Sequence, residues 1–453
     1  MVAQGLVSLC ERLPGCRIPI TLTFMTLLLV LGVRTVNRNQ DWMSRRSLFI
    51  SGVKTFPGNA KMHYNIANLL RDEGNTDTAE IHYRRAIRLN PDHPSYHLNL
   101  GAILTNRSEA ESCYQEALRL HPGHIGALVN LASLWIENEK VSAGIPLLEQ
   151  ALDIDPAHAE GLLTYGKALL VQGQTLRAGQ LIQSAMESRP NWASAHLYYA
   201  TFLQHTDNME EALREYLRVL DLDPEESLAM NSAARILISL GRHNEAEPLL
   251  KRAMAVDPAC WDCLSVLATS YTRQGHHSQA VITLGQASSL APNETSITLK
   301  YVQALKQARH TEKAHTLLQK LLARVPDDLT VLTFAYNYAM EENRLADAFQ
   351  LIREAVSVAE QLRHESLSKL YFEQAEVYRL HNDYDNALKF YKKSIKENQH
   401  QTESIVSAGS VLYLKKHYKE AEEFYLRALA QDPGHQLAKH NLAKLRNFLD
   451  SAG

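Results

Sequence analysis

Few residues in this 453-residue chain are spaced for chemistry, and the most reactive pair is Cys260-Trp-Asp-Cys263. Two thiols three residues apart share one turn, and at a helix start the free N–H groups favour the thiolate. The pair is open to three readings: ordinary packing, a local disulfide, or metal binding with His276 and His277. The last is disfavoured, because a whole helix of about 20 Å would separate sulfur from imidazole. Adjacent histidines also lack the spacing of a zinc pair, so no metal site is expected. A dithiol redox role lacks the strand–helix–strand context that gives the motif its usual meaning. A second set of candidates carries amides: Tyr64-Asn65-Ile-Ala67, Leu98-Asn99-Leu-Gly101, Val129-Asn130-Leu-Ala132 and His440-Asn441-Leu-Ala443. An amide offers two donors and an acceptor, enough to hold a peptide backbone without reading its sequence. Asn65, Asn99 and Asn130 are the candidate peptide-binding residues; the simpler reading is that such asparagines bond locally. Third come two glycosylation tripeptides, Asn106-Arg-Ser108 and Asn293-Glu-Thr295, both in turns. Asn293 is the better acceptor, since Asn106 sits in a shortened turn. There is no H-E-x-x-H, no phosphate-loop glycine pattern and no G-x-S-x-G, so no catalytic residue is expected.

The elements that must position these residues repeat. Prolines fall at Pro122, Pro156, Pro190, Pro224, Pro258, Pro292 and Pro326, each 34 residues after the last. Ala79, Ala110, Ala178, Ala212, Ala246, Ala280, Ala314 and Ala421 sit ahead of the helix-ending positions. This is the period of the tetratricopeptide repeat (TPR), a helix–turn–helix unit that buries its apolar face only by stacking. The predicted fold is all-α: a TPR solenoid, wound as a superhelix, preceded by one membrane-spanning helix. Small residues at positions 8 and 20 let helices A and B of each repeat cross. Larger apolar residues fill the space around them, and proline at 32 stops helix B. Repeats begin near Ala60, Asp92, Ile125, Ala159, Ala193, Ser227, Trp261, Thr295, Leu329, Ser368 and Thr402. The candidate asparagines occupy position 6 of helix A, which faces the concave side. Their ladder lapses at Thr164, Tyr198, Ser232, Val266 and Lys300. Tyr83, Tyr114, Tyr216, Tyr391 and Tyr425, at or beside position 24, read as core.

Three departures interrupt the period. Residues are missing between Gly101 and Ala110, which predicts a tight turn in repeat two. Residues are added between Ala355 and Ser368, which predicts a longer helix B in repeat nine and a kink or subdomain break near Glu360–Glu365. Repeat ten has Gln399 in place of proline. The predicted boundaries are 1–17 for the remnant of a hydrophobic segment with a polar loop, 18–34 for the membrane helix and 35–58 for a linker. Repeats one to nine occupy 59–360, repeats ten and eleven 361–434, and a capping helix 435–453.

A net charge of −3 argues against nucleic acid. Five cysteines, Cys10, Cys16, Cys113, Cys260 and Cys263, are too sparse for a disulfide scaffold. Ile18–Val33 is uncharged between Arg17 and Arg34. At about 24 Å it falls short of a bilayer core of about 30 Å, a gap that flanking arginines close by snorkelling. A signal peptide is the rival reading, but no small-x-small cleavage site follows. Arg34, Arg38, Arg45 and Arg46 after the apolar stretch lean towards a cytosolic array by the positive-inside rule.

Between the apolar stretch and the repeats stand Asp41-Trp42-Met-Ser44-Arg-Arg-Ser47-Leu48-Phe49-Ile-Ser51-Gly52 and then Pro57-Gly-Asn59-Ala60-Lys61-Met-His63-Tyr64-Asn65. This run, with the array that follows, resembles the transmembrane and TPR-repeat-containing (TMTC) proteins over the whole chain. The resemblance implies an endoplasmic reticulum (ER) membrane protein with luminal repeats, acting in protein O-mannosylation on cadherin-like acceptors. It implies dolichyl-phosphate mannose as donor for the full-length family, used by a multispan GT-C module whose catalytic acid lies many spans upstream. The chain begins at about the last such span, so no catalytic residue and no cofactor is assigned to it. The expected function is a membrane-anchored scaffold that binds acceptor or partner proteins in its groove. The alternative is a non-catalytic, cytosolic-facing adaptor for chaperone or trafficking partners.

Overall fold

A computed structural model describes residues 4–5 and 17–452. The apolar run at the extreme N-terminus, with Cys10 and Cys16, otherwise lies outside the described residues. No strand occurs among the described residues. The first long helix, Arg17–Asp41, runs past the expected end at 34, because nothing between Val33 and Asp41 stops a helix. From Ile18 it is long and apolar enough to cross a membrane, and none of its apolar window is buried. Its threonine hydroxyls close onto the preceding turn, Thr23 on Pro19 O and Thr26 on Leu22 O at 2.8 Å each. The expected linker holds a further helix, Arg45–Thr55, opened by a capping box in which Ser44 and Ser47 satisfy each other's backbone N–H. Serine stands at the third position of this box in place of the usual Glu or Gln.

Twenty-two further helices form eleven A/B pairs, and Gln436–Ala452 follows them. The chain divides into two compact units, Met1–Ala229 and Met230–Gly453, with the division in repeat six. In the first unit the A helices begin at Ala60, Pro94, Ile125, Ala159 and Ala193. Helix A of repeat two is cut to Pro94–Gly101, which absorbs the missing residues before Asn106 caps helix B. Helix B of repeat nine, Leu345–Leu362, has 18 residues where most B helices have 14. It ends at Arg363 in a left-handed conformation, φ 50°.

The crossings explain the small residues. Ala67 and Ala79, Ala132 and Gly144, Ala200 and Ala212 are fully or almost fully buried where A meets B. A Cβ on Gly166 would stand 2.6 Å from Ile182 Cγ1, and one on Gly409 would stand 2.8 Å from Tyr425. In repeats eight and nine Val302 and Tyr336 take this position, and both are buried. The A-to-B turn needs a left-handed residue, supplied by Gly74, Gly173, Gly241 and Gly275 and, with a Cβ, by Glu139, Asp207, Arg309, Asn343, Asn382 and Lys416.

Candidate functional site

In repeats one, five, ten and eleven, where position 24 of helix B is tyrosine, a polar contact joins helix B to helix A of the same repeat. The tyrosine at position 24 of helix B lies flat in the core and brings its hydroxyl to the residue at position 9 of helix A. Tyr83 is fully buried and donates to Asn68 Oδ1 at 2.6 Å. In repeat eleven Tyr425 reaches Ser410 Oγ at 3.3 Å. The asparagine at position 6 of the next helix A joins the same pair. Asn99 donates to Asn68 Oδ1 and to Tyr64 Oη, each at 2.9 Å, and Asn441 donates to Ser410 Oγ at 3.1 Å. Burial pushes the Tyr83 hydroxyl up to about 12, against the pull of Arg71. Both contacts of Asn99 use its amide nitrogen, so its Oδ1 is the atom left to meet a peptide N–H.

The other two asparagines stand differently. Asn130 lines an open cleft of about 420 Å³ with Ala102, Thr105, Arg107, Tyr114, Ser133 and Glu137. This cleft lies where helix A of repeat two is short. Asn65 lines a pocket of about 390 Å³ with Lys61, Tyr64, Asn90, His93 and Tyr96. There the His93 and Tyr96 rings stack at 4.2 Å, and Tyr64 meets Tyr96 at 4.8 Å. Aromatic faces beside amides are a suitable lining for a polypeptide segment.

Sequence reasoning missed a histidine device at the repeat entries. His63, His97 and His196 each place Nε2 within 3.0 Å of the carbonyl of the proline six residues earlier, Pro57, Pro91 and Pro190. The recurring P-x5-H was the available signal. Because Nε2 of His63 donates to Pro57, its Nδ1 is the acceptor for Nδ1–H of His82 at 3.0 Å. Burial, and then the neighbouring His63, hold His82 below its ordinary value of 6.5.

In the second unit the two sulfurs of Cys260 and Cys263 are joined, with Cα atoms 5.4 Å apart. Cys260 caps helix A of repeat seven, Trp261–Arg273, and its Sγ accepts the Cys263 N–H at 3.2 Å. Cys263 is fully buried, whereas Cys260 is partly exposed. Among the described residues no cluster of His, Cys, Asp or Glu could hold a metal ion. The free thiol among the described residues is Cys113, raised first by burial. Of the two glycosylation tripeptides, Asn106 is tied down as a helix cap, its Oδ1 accepting Ser108 N at 3.0 Å and Glu109 N at 3.3 Å. Asn293 stands exposed in the turn before Thr295–Gln307.

Repeats of this construction define a tetratricopeptide-repeat protein. Family profiles described as "Tetratricopeptide repeat" match residues 60–93, 104–159, 136–195, 237–296, 368–401 and 402–435. The chain belongs to the TMTC family of such proteins. It is 32% identical to human "Protein O-mannosyl-transferase TMTC1" over 98% of its own length and 50% of that protein. It is 26% identical to human "Protein O-mannosyl-transferase TMTC3" over 78% of its own length and 41% of that protein. The chain thus spans about half the length, or less, of these curated relatives. Among solved structures, yeast Tom70 covers 87% of the chain, with 95% of its own chain matched, 13% identity and a TM-score of 0.46.

Proposed function

We propose that this chain is the membrane-anchored, acceptor-holding part of a protein O-mannosylation system. The observation that carries the reading is similarity along 98% of the chain to a protein O-mannosyl-transferase, joined to an apolar helix leading into a repeat array. In this reading the Arg17–Asp41 helix sits in the ER membrane and the repeats lie in the lumen. The A-helix faces hold a polypeptide of the cadherin type, and holding it at the membrane raises its effective concentration at the mannosyl-transfer site. The donor, dolichyl-phosphate mannose, serves the full-length family, and the role proposed for this chain is recognition of the acceptor.

Within the first unit the holding residues are the Asn65 pocket, the Asn99 carbonyl and the Asn130 cleft. The test is calorimetric titration of the detergent-purified chain with a purified cadherin ectodomain. An Asn65→Ala/Asn130→Ala double variant should weaken binding about thirtyfold, from two lost hydrogen bonds of about 1 kcal/mol each. An unchanged Kd would remove the asparagines from the acceptor site.

A second reading rests on Arg34, Arg38, Arg45 and Arg46, which follow the apolar stretch and favour a cytosolic array. The chain would then be an adaptor for chaperone or trafficking partners, and the two readings separate on topology.

A further inference from the structure

We infer that Cys260–Cys263 is a thiol–disulfide exchange site, attacked at Cys260, and not a structural staple. Four observations carry this. The bond closes a loop of only a few residues inside a helical first turn, and a disulfide restricts the unfolded chain least when its loop is shortest. That turn is already held by other means: Leu264 N bonds Cys260 O at 3.3 Å, and Asp262 accepts from Asn231 at 2.6 Å and from Arg235 at 2.7 Å. The two sulfurs also differ in access, since Cys263 is fully buried and Cys260 is partly exposed. Finally, the Cys263 N–H already points at Cys260 Sγ, at the positive end of the helix. A thiolate at Cys260 would be a better acceptor for that N–H than the disulfide sulfur, so the reduced state is stabilised where it forms.

The substrate class is a thiol. Its thiolate attacks Cys260 Sγ, the S–S bond breaks, and Cys263 leaves as a thiolate that takes a proton from water. A mixed disulfide then stands on Cys260. A second thiolate attacks the outer sulfur of that mixed disulfide, releasing the oxidised thiol and leaving Cys260 as thiolate. The sum is two thiols oxidised to one disulfide and the protein pair reduced by two electrons. The Asp262 anchor and the backbone turn do not involve the S–S bond, so repeat seven stays folded through the cycle.

The test uses the full detergent-purified chain in buffers of reduced and oxidised glutathione at varied ratio, followed by acid quench, alkylation and peptide mass spectrometry. Peptide mapping reads Cys10, Cys16 and Cys113 separately. The pair should pass reversibly between disulfide and dithiol while circular dichroism and the protease pattern stay unchanged. In Cys263→Ser, glutathione should be captured on Cys260. In Cys260→Ser, capture on Cys263 should be at least tenfold slower. A disulfide that resists glutathione until the chain unfolds would overturn the inference, as would a pair that stays reduced throughout. Equal capture on the two single variants would overturn the assignment of Cys260 as the attacked sulfur. Each of these outcomes is independent of where the array sits and of what its asparagines bind.

Discussion

The helix crossings and the A-helix faces obey different rules within the same repeats. At most crossings, those with Val302 and Tyr336 excepted, two backbones approach until little more than a hydrogen or a methyl fits between them. Alanine or glycine therefore recurs at Ala67, Ala132, Gly166, Ala200, Ala268 and Ala375, all buried. Two residues earlier on the same helix, the residue at position 6 changes from Asn65, Asn99 and Asn130 to Thr164 and Tyr198. Packing density fixes the first set, because an added methylene inside a filled core has nowhere to go. The second set answers only to hydrogen bonding and to whatever the face holds. A repeat protein thus keeps its fold in one stripe and varies its recognition in another.

Breaking the crossing should give the largest effect. Gly166→Leu forces side-chain atoms onto Ile182 and should destabilise repeat four by about 3 kcal/mol. Hydrogen exchange of peptides from Ala159–Val171 reads this directly; protection equal to wild type would mean the crossing has slack. On the face, Asn99→Ala removes two donors from Asn68 and Tyr64 and should cost repeats one and two about 1–2 kcal/mol. If exchange protection in Ala60–Asp72 is unchanged while acceptor binding falls, Asn99 serves the ligand and not the array.

The smallest effect sharpens the comparison at the array's entry. His82 is held below its ordinary value in the fold, so the unfolded chain takes up the proton more readily. The stabilisation is fully present above about pH 6.5 and is lost as pH falls from there through the folded value. Local opening of repeat one should therefore grow between pH 7.5 and 5.5, and His82→Gln, which can still donate to His63, should flatten that dependence. An identical pH profile in the variant would assign the acid sensitivity to other groups.

The legible part of the molecule was the part governed by periodicity. The 34-residue proline spacing and the small residues at 8 and 20 dictate helix pairs, and the A-helix starts at Ala60, Ile125, Ala159, Ala193, Trp261, Thr295, Leu329 and Thr402 coincide with the starts read from that pattern. The rest was set by contacts between residues far apart in sequence. That both contacts of the Asn99 amide nitrogen lie within the protein depends on Tyr64 and Asn68, 35 and 31 residues earlier. The cysteine spacing admitted packing, disulfide or metal, and only the placement of Cys260 at the helix start joins the sulfurs. The division of the chain at Ala229/Met230 has no proline loss or insertion to announce it, unlike the lengthened Leu345–Leu362 helix, where the sequence drew attention instead.

Acceptor capture for O-mannosylation requires the repeats to lie on the luminal side of the membrane. The direct measurement is endoglycosidase H digestion of the chain expressed in cells, alongside Asn106→Gln and Asn293→Gln. The luminal reading predicts a mobility shift that Asn293→Gln abolishes, since Asn106 is held as a helix cap and Asn293 is exposed in its turn. No shift in any form, with the repeats open to protease in intact microsomes, would place the array in the cytosol and contradict acceptor capture for O-mannosylation.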